Sequence, residues 1–252
     1  MKILLIGHGV MGRTVESLAA EAGHEIVGCV DRGDPVIDAD LASRADVAIE
    51  FAGPKGAPVR IRETAAAGLA VVSGSTGWSD ELPAVAEEVA AQGGALLHAP
   101  NLSIGVAVFE RIIRRASALL DVVPDYDLVL EETHHTRKVD HPSGTARWLA
   151  DDVVEAVQRL ARWEGTLVAD DSATTAAPDE VLPVVSHREG DVPGTHTLRA
   201  TGPDDVIELT HRALGQDGFA RGALRAAAWL AGRSGVYTLN DMLDDLLSPG
   251  AT

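Results

Sequence analysis

Lys2-Ile3-Leu4-Leu5-Ile6-Gly7-His8-Gly9-Val10-Met11-Gly12 is the stretch that decides the fold. Its apolar part is short and runs straight into glycines, which is the pattern of a buried strand and not of a secretory leader. Gly7, Gly9 and Gly12 satisfy G-x-G-x-x-G, in which glycine permits a tight turn, lets backbone N–H groups approach a pyrophosphate and lets a helix pack closely on a strand. The hexapeptide alone is a weak signal. Its context strengthens it, because a second strand-like run ends at Asp31, about 20 residues on, where an acid can accept hydrogen bonds from an adenosine ribose. Asp31 favours NAD, whereas the adjacent Arg32 could pair with a 2′-phosphate and favours NADP.

Outward from this loop, strand-like runs (residues 3–6, 25–30, 45–51, 70–73 and 95–98) alternate with helix-like ones (13–22, 57–67 and 80–91). Strands separated by helices of that length imply right-handed crossovers and a parallel sheet covered on both faces. The pattern changes after Asn101. Helices are expected at 104–120 and 143–162, strands at 125–134, 184–188, 196–201 and 206–213, and helices again at 218–232 and 239–247. The stretch 165–183 is rich in Ala, Asp, Thr and Ser and reads as a surface loop. The expected fold class is therefore α/β: a Rossmann-like, doubly wound parallel sheet over 1–103, with a second α+β domain over 104–215 carrying a mixed or antiparallel sheet. The C-terminal helices, 216–252, are expected to pack back on the first domain.

The 252 residues carry a formal charge of −17, which argues against nucleic acid as a partner because phosphate neutralisation needs a basic surface. No apolar run reaches the roughly 20 residues of a membrane span, so none is expected. The one cysteine, Cys29, cannot form an internal disulfide and fits a reducing cytoplasm. Basic residues are almost all arginine; the lysines are Lys2, Lys55 and Lys138. Lysine can release a proton near neutral pH when its pKa is lowered, and arginine effectively cannot.

Lys138 lies within Glu132-Thr-His-His-Thr-Arg-Lys-Val-Asp-His-Pro-Ser-Gly-Thr-Ala146. His134 and His135 end a strand, so their side chains should diverge. Ser143, Gly144 and Thr145 then open a helix, whose first N–H groups and hydroxyls suit a carboxylate or phosphate. A cationic lysine beside such a cradle makes an anion site, and histidine supplies a proton near neutral pH. The competing readings are structural, with Ser143 only an N-cap, and metal binding by His134, His135 and His141. The histidine spacing fits no common zinc pattern, and no metal is expected. Gly74-Ser75-Thr76-Gly77 and Ala99-Pro100-Asn101-Leu102-Ser103 follow later strands, where a doubly wound sheet binds ligands, although read alone they serve equally well as ordinary turns.

The segment from Glu132 to Ala146 closely resembles the signature of the 4-hydroxy-tetrahydrodipicolinate reductase (dihydrodipicolinate reductase) family, and the likeness extends over nearly the whole chain. Glu50-Phe51-Ala52-Gly53-Pro54, Arg188 to His196 and Phe219 to Ala227 resemble further family elements. The resemblance implies hydride transfer from NADH or NADPH to a small, cyclic dicarboxylate imine with loss of water. It implies His134 as acid/base residue, Lys138 as proton donor, and His135, Ser143, Gly144 and Thr145 around the substrate. It implies a cofactor lying against Gly7, His8, Gly9, Val10, Met11, Gly12, Asp31 or Arg32, Gly74, Ser75, Thr76, Ala99, Pro100, Asn101 and Leu102. It also implies a homotetramer assembled through the second sheet. Three positions depart from the pattern: Glu50 stands for a usual Asp, Thr195 for a frequent Glu, and Gln216 for a usual basic residue. Gln216 leaves open a reductase of a related cyclic imine or carbonyl compound. A non-catalytic NAD(H)-binding sensor would have no use for Lys138.

Overall fold

The structure is a computed structural model that describes residues 1–31, 33–168 and 177–248. Its contacts divide the chain into two units, Met1–Ile104 with the C-terminal segment from Asp217, and Gly105–Gln216.

The first unit is built on six strands: β1 (Lys2–Ile6), β2 (Glu25–Val30), β3 (Val47–Glu50), β4 (Val71–Ser73), β5 (Ala95–His98) and β11 (Gly235–Tyr237). They pair in parallel throughout, in the order β11-β5-β4-β3-β1-β2. The chain steps from β1 outward to β2, then returns past β1 to β3. That reversal is the topological switch point at which open α/β sheets bind ligands, beyond the strand C-termini. β1, β3 and β4 are buried on both faces, which explains why they read as unbroken apolar runs. Helices α3 (Ala57–Ala66) and α4 (Leu82–Ala91) press Ile61, Ala65, Val85 and Val89 against Leu4, Ile6, Ala48, Val71 and Leu96. Helix α1 (Val10–Ala19) pairs with α7 (Asp217–Leu230), which lies on β3, β4 and β5; α2 (Ala39–Ala42) and α8 (Leu239–Leu247) complete the unit. The buried side of α7 is mostly Ala and Gly. A Cβ on Gly222 would stand 1.8 Å from the carbonyl oxygen of Leu102, so only glycine lets the helix come this close.

The second unit holds α5 (Ile104–Asp121), β6 (Asp127–His134), α6 (Gly144–Ala156), β7 (Arg162–Leu167), β8 (Val181–Arg188), β9 (Thr195–Thr201) and β10 (Val206–Arg212). Its sheet is mixed, in the order β10-β9-β6-β8-β7. β6 runs parallel to β8 and antiparallel to β9, and it alternates buried and exposed residues, with Leu128, Leu130, Glu132 and His134 inward. The apolar side chains of this face meet Ile113 of α5 and Leu149 and Val153 of α6.

Two expectations need correction. The helix expected to reach 162 stops at Ala156, because Val157 is extended (φ −117°, ψ 103°). Arg162–Leu167 is instead an edge strand paired with β8. Five of its six residues are exposed, so it has no apolar period for a sequence reading to find. The loop expected over 165–183 gives up both ends to β7 and β8, and its centre, 169–176, lies outside the described residues. β11, only three residues long, was not expected at all. No helix among the described residues is long and apolar enough to cross a membrane.

Candidate active site

In the first unit the glycine loop sits between β1 and α1. Gly7 adopts φ +88°, and a Cβ there would stand 2.5 Å from the Phe51 backbone; on Gly12 it would stand 2.2 Å from the Gly7 carbonyl. These two glycines are required by the protein's own packing. Gly9 differs: a Cβ there would meet no heavy atom within 4 Å. Gly9 is the N-cap of α1 and makes no side-chain cap, so the space over the helix N-terminus is of the kind a phosphate can enter. The loop could hold a dinucleotide.

Around it, His8 Nε2 lies 2.7 Å from Glu16, Val10 is exposed and Met11 half-buried. Asp31 is exposed at the end of β2, and its backbone N–H donates to Asp34 at 2.7 Å. Arg60 fixes this turn by donating to the carbonyls of Asp31, Asp34 and Pro35 at 3.0, 3.0 and 3.1 Å. Arg32 lies outside the described residues. Beyond β4, a Cβ on Gly74 would stand 2.3 Å from the Phe51 ring. Ser75 is buried and donates to Glu50 at 2.6 Å; Thr76 is exposed. Ala99 and Leu102 are buried, so they offer a ligand backbone and not side chain; Pro100 is exposed, and Asn101 Oδ1 accepts from the Ser103 N–H at 2.9 Å.

Glu50 is a support that sequence reading noticed only as a departure from the family. Its carboxylate is fully buried and accepts from Ser73, from Ser75 and from the Ala52 N–H. Burial pushes its pKa up, while these donors pull it down. It ties the C-terminal ends of β3 and β4 together beneath the loops that follow them.

In the second unit the register of β6 builds a polar cluster. Glu132 lies across from His196 of β9, and His134 beside Arg188 of β8. The two inward β6 positions then meet: Glu132 Oε2 pairs with His134 Nδ1. The other carboxylate oxygen receives Arg188 Nη1 at 3.2 Å and the Ser143 N–H at 3.3 Å. Glu132 is 1% exposed and His134 9%. Burial pushes the Glu132 carboxyl up, but the hydrogen bond and charge of His134, with the charge of Arg188, outweigh it and hold the group at about 2. Ser143 caps α6 by accepting from the Ala146 N–H at 3.1 Å, and its Oγ lies 3.3 Å from His196 Nε2. Burial, then the neighbouring His134, pushes the pKa of His196 down to about 3. His196 is therefore neutral at pH 7 and can accept the Ser143 hydroxyl proton.

Lys138 is held apart from this cluster. Its Nζ donates to Asp140 at 2.8 and 3.1 Å, and Arg188 anchors the same turn through the carbonyls of Lys138 and Asp140 at 3.2 and 2.8 Å. Burial pushes the Asp140 carboxyl up, yet the Lys138 hydrogen bond and charge prevail and hold it below its usual value. His135 is half-buried, with Nδ1 buried and without a partner among the described residues. Gly144 is exposed, and a Cβ on it would meet nothing within 4 Å; Thr145 is half-buried. Of the expected residues, the structure thus brings His134 and Ser143 together, ties the Lys138 turn to them through Arg188, and leaves Gly144 facing open space. Sequence reading missed Glu132, Arg188 and His196 as site residues. Period-2 alternation could have placed Glu132 on the face of His134, but no local signal gives the register that brings in the other two. One ligand atom each from Glu132, His134 and His196 lie within 4.8 Å of one another, a separation a metal could bridge. Both Glu132 oxygens are already engaged, one of them by a cation.

Models of the dihydrodipicolinate reductase N-terminus and C-terminus match residues 1–102 and 105–243. A 4-hydroxy-tetrahydrodipicolinate reductase of Christiangramia forsetii is 36% identical over 98% of this chain and 99% of its own length. The enzyme of the same name from Haloarcula marismortui is 42% identical over 79% of this chain and 76% of its own. Among solved structures, a dipicolinate-bound dihydrodipicolinate reductase from Paenisporosarcina sp. TG-14 superposes with a TM-score of 0.75 at 20% identity, over 94% of this chain and 97% of that one, and shows the shared fold. With both halves of the chain matched and relatives this similar over most of its length, the protein belongs to the dihydrodipicolinate reductase family.

Proposed function

We propose that this chain reduces 4-hydroxy-tetrahydrodipicolinate to tetrahydrodipicolinate with NADH or NADPH, a step of lysine and diaminopimelate biosynthesis. The observation that carries this reading is the Glu132-anchored cluster of His134, Arg188 and Ser143, in a chain whose relatives bear that enzyme's name. The reaction adds a hydride and a proton and releases water; the reduced nicotinamide supplies the hydride when bound.

The protein's own residues do the rest. Ser143, Gly144 and Thr145 at the α6 N-terminus cradle a substrate carboxylate, where helix N–H groups favour an anion. Lys138 and His135 complete that anion site. Lys138 donates the proton, with Asp140 holding its ammonium in place until substrate arrives. His134 is the acid/base group, its Nδ1 fixed by Glu132 so that Nε2 is the atom presented for proton exchange. The dinucleotide lies over Gly9, flanked by Asp31 and the loops after β4 and β5.

In a chain of charge −17, a dicarboxylate needs a local positive focus, and Lys138, Arg188 and Arg147, an α6 residue that donates to the Pro142 carbonyl at 2.8 Å, supply one within unit 2. The second-unit sheet also serves self-association into a homotetramer: Val206 and Ile207 on edge strand β10 are 53% and 40% exposed. The working compartment is the cytoplasm, in keeping with the single free thiol.

The test is loss of reduced-nicotinamide absorbance with substrate generated enzymatically in situ. Substrate-dependent oxidation of NADH or NADPH is expected. No oxidation with either cofactor sinks the proposal, and activity confined to other cyclic imines replaces the substrate.

A further inference from the structure

Away from the Glu132 cluster, a second group of metal-ligating side chains lies wholly within the first unit. His8 stands inside the glycine loop, Glu16 two turns along α1, and Cys29 next to last in β2, the edge strand beside β1. Each offers one ligand atom, and these atoms all lie within 4.8 Å of one another. His8 and Glu16 are already in contact at 2.7 Å. A zinc-type ion bonds N, O and S at about 2.0–2.3 Å, so tetrahedral ligand atoms sit about 3.5 Å apart. At no more than 4.8 Å, the ligand atoms lie only a little wider than that spacing.

The donors also fit by chemistry. Imidazole and thiolate select zinc, cadmium and their neighbours over magnesium and calcium, which take oxygen. The charge balance favours a cation. Burial, and then the charges of Glu16 and Asp31, push the Cys29 thiol up, and a bound cation would offset those charges and displace the thiol proton. Opposing charges among the described residues include Arg13, which donates to the His8 carbonyl at 3.1 Å, and Arg60 on the turn around Asp31. Access is open: Cys29 is exposed, and the His8 and Glu16 side chains are 33% and 47% exposed.

We propose that His8, Glu16 and Cys29 form a binding site for one soft divalent cation of the zinc class, with the fourth position left to water. His8 sits in the loop assigned to the dinucleotide, but a metal titration needs neither substrate nor dinucleotide.

Because Cys29 is the only cysteine in the chain, the test is clean. Cadmium is titrated into the full-length protein, and the ultraviolet charge-transfer band of a cadmium–thiolate bond is followed. The expected result is one equivalent of cadmium bound, a band that zinc abolishes, and a midpoint at least ten-fold higher in Glu16→Gln and in His8→Asn. Both variants change accessible side chains, and circular dichroism checks their folding. No band at stoichiometric cadmium overturns the proposal. So does a midpoint unchanged in both variants, since the thiol would then be binding alone.

Discussion

The buried carboxylate of Glu132 receives His134 Nδ1 directly, two residues along the same strand face. This contact fixes both the ring orientation and the tautomer of the proposed acid/base group. Glu132→Gln keeps the shape and removes the charge. It also strands Arg188, whose side chain is only 12% exposed, beside a neutral amide. A fall in kcat on the order of 10²–10³ is expected, with a stability loss of about 3 kcal/mol from the uncompensated cation. Steady-state kinetics and urea unfolding read the two effects separately, and an unchanged kcat would exclude Glu132 from positioning His134.

That relationship also marks the limit of what the sequence makes legible. The glycine loop, the parallel sheet and the stretch from His134 to Thr145 are local patterns, each written in consecutive residues. The alternation that turns Leu128, Leu130, Glu132 and His134 inward is local too. What places His196 opposite Glu132, and Arg188 beside His134, is the pairing of β6 with β9 and β8, and strand register across such separations is set by tertiary packing. β7 failed for a related reason: on an exposed edge, hydrogen bonds to β8 define it and its composition does not. Arg60, three of whose hydrogen bonds hold the turn around Asp31, looks from the sequence like any helix-surface arginine.

His196 makes the protein's stability depend on pH. Its folded pKa is about 3, set by burial and then by His134, whereas unfolded histidine titrates near ~6.5. Between those values the unfolded chain binds more protons, so this residue makes stability fall as pH drops below ~6.5. Glu132 acts in the same sense over a lower window, its contribution present above ~4.3 and lost as pH falls toward its folded value of about 2. Asp152, pushed up to about 7 by burial and then by Glu110, tilts stability the other way, its folded form binding more protons between ~3.9 and 7. The informative measurement is therefore a difference. Urea midpoints of wild type and His196→Gln are compared at pH 7.5 and pH 5, and the variant should lose less stability on acidification by about 2 kcal/mol. Equal losses would mean that His196 is not held neutral in the fold.

Lys138 separates charge from proton donation. Lys138→Ala should leave dinucleotide binding intact and lower turnover by about 10²–10⁴-fold, since it removes a charge-assisted contact and the proton source together. Lys138→Arg keeps the cation and its pairing with Asp140, but arginine does not release a proton near neutral pH. KM for the arginine variant should stay within a few-fold of wild type while kcat remains near that of the alanine variant. Recovery of kcat in Lys138→Arg would reduce Lys138 to an electrostatic role.

The three loop glycines should respond differently to one added methyl group. Gly7→Ala must place a side chain at φ +88° and 2.5 Å from the Phe51 backbone, and Gly12→Ala must fit one 2.2 Å from the Gly7 carbonyl. Both should unfold more easily, by about 2 kcal/mol or more, because neither contact can relax without moving backbone. Gly9 has an ordinary φ of −74° and open space where the methyl would stand. Gly9→Ala should therefore keep wild-type stability to within about 0.5 kcal/mol. Its methyl would nevertheless occupy the approach to the α1 N-terminus, and affinity for NADH and NADPH should fall at least ten-fold, or about 1.4 kcal/mol. Thermal unfolding and nicotinamide fluorescence titration separate the two classes of variant. A Gly9→Ala protein that is stable and binds both dinucleotides as tightly as wild type would show that the pyrophosphate does not lie over this loop.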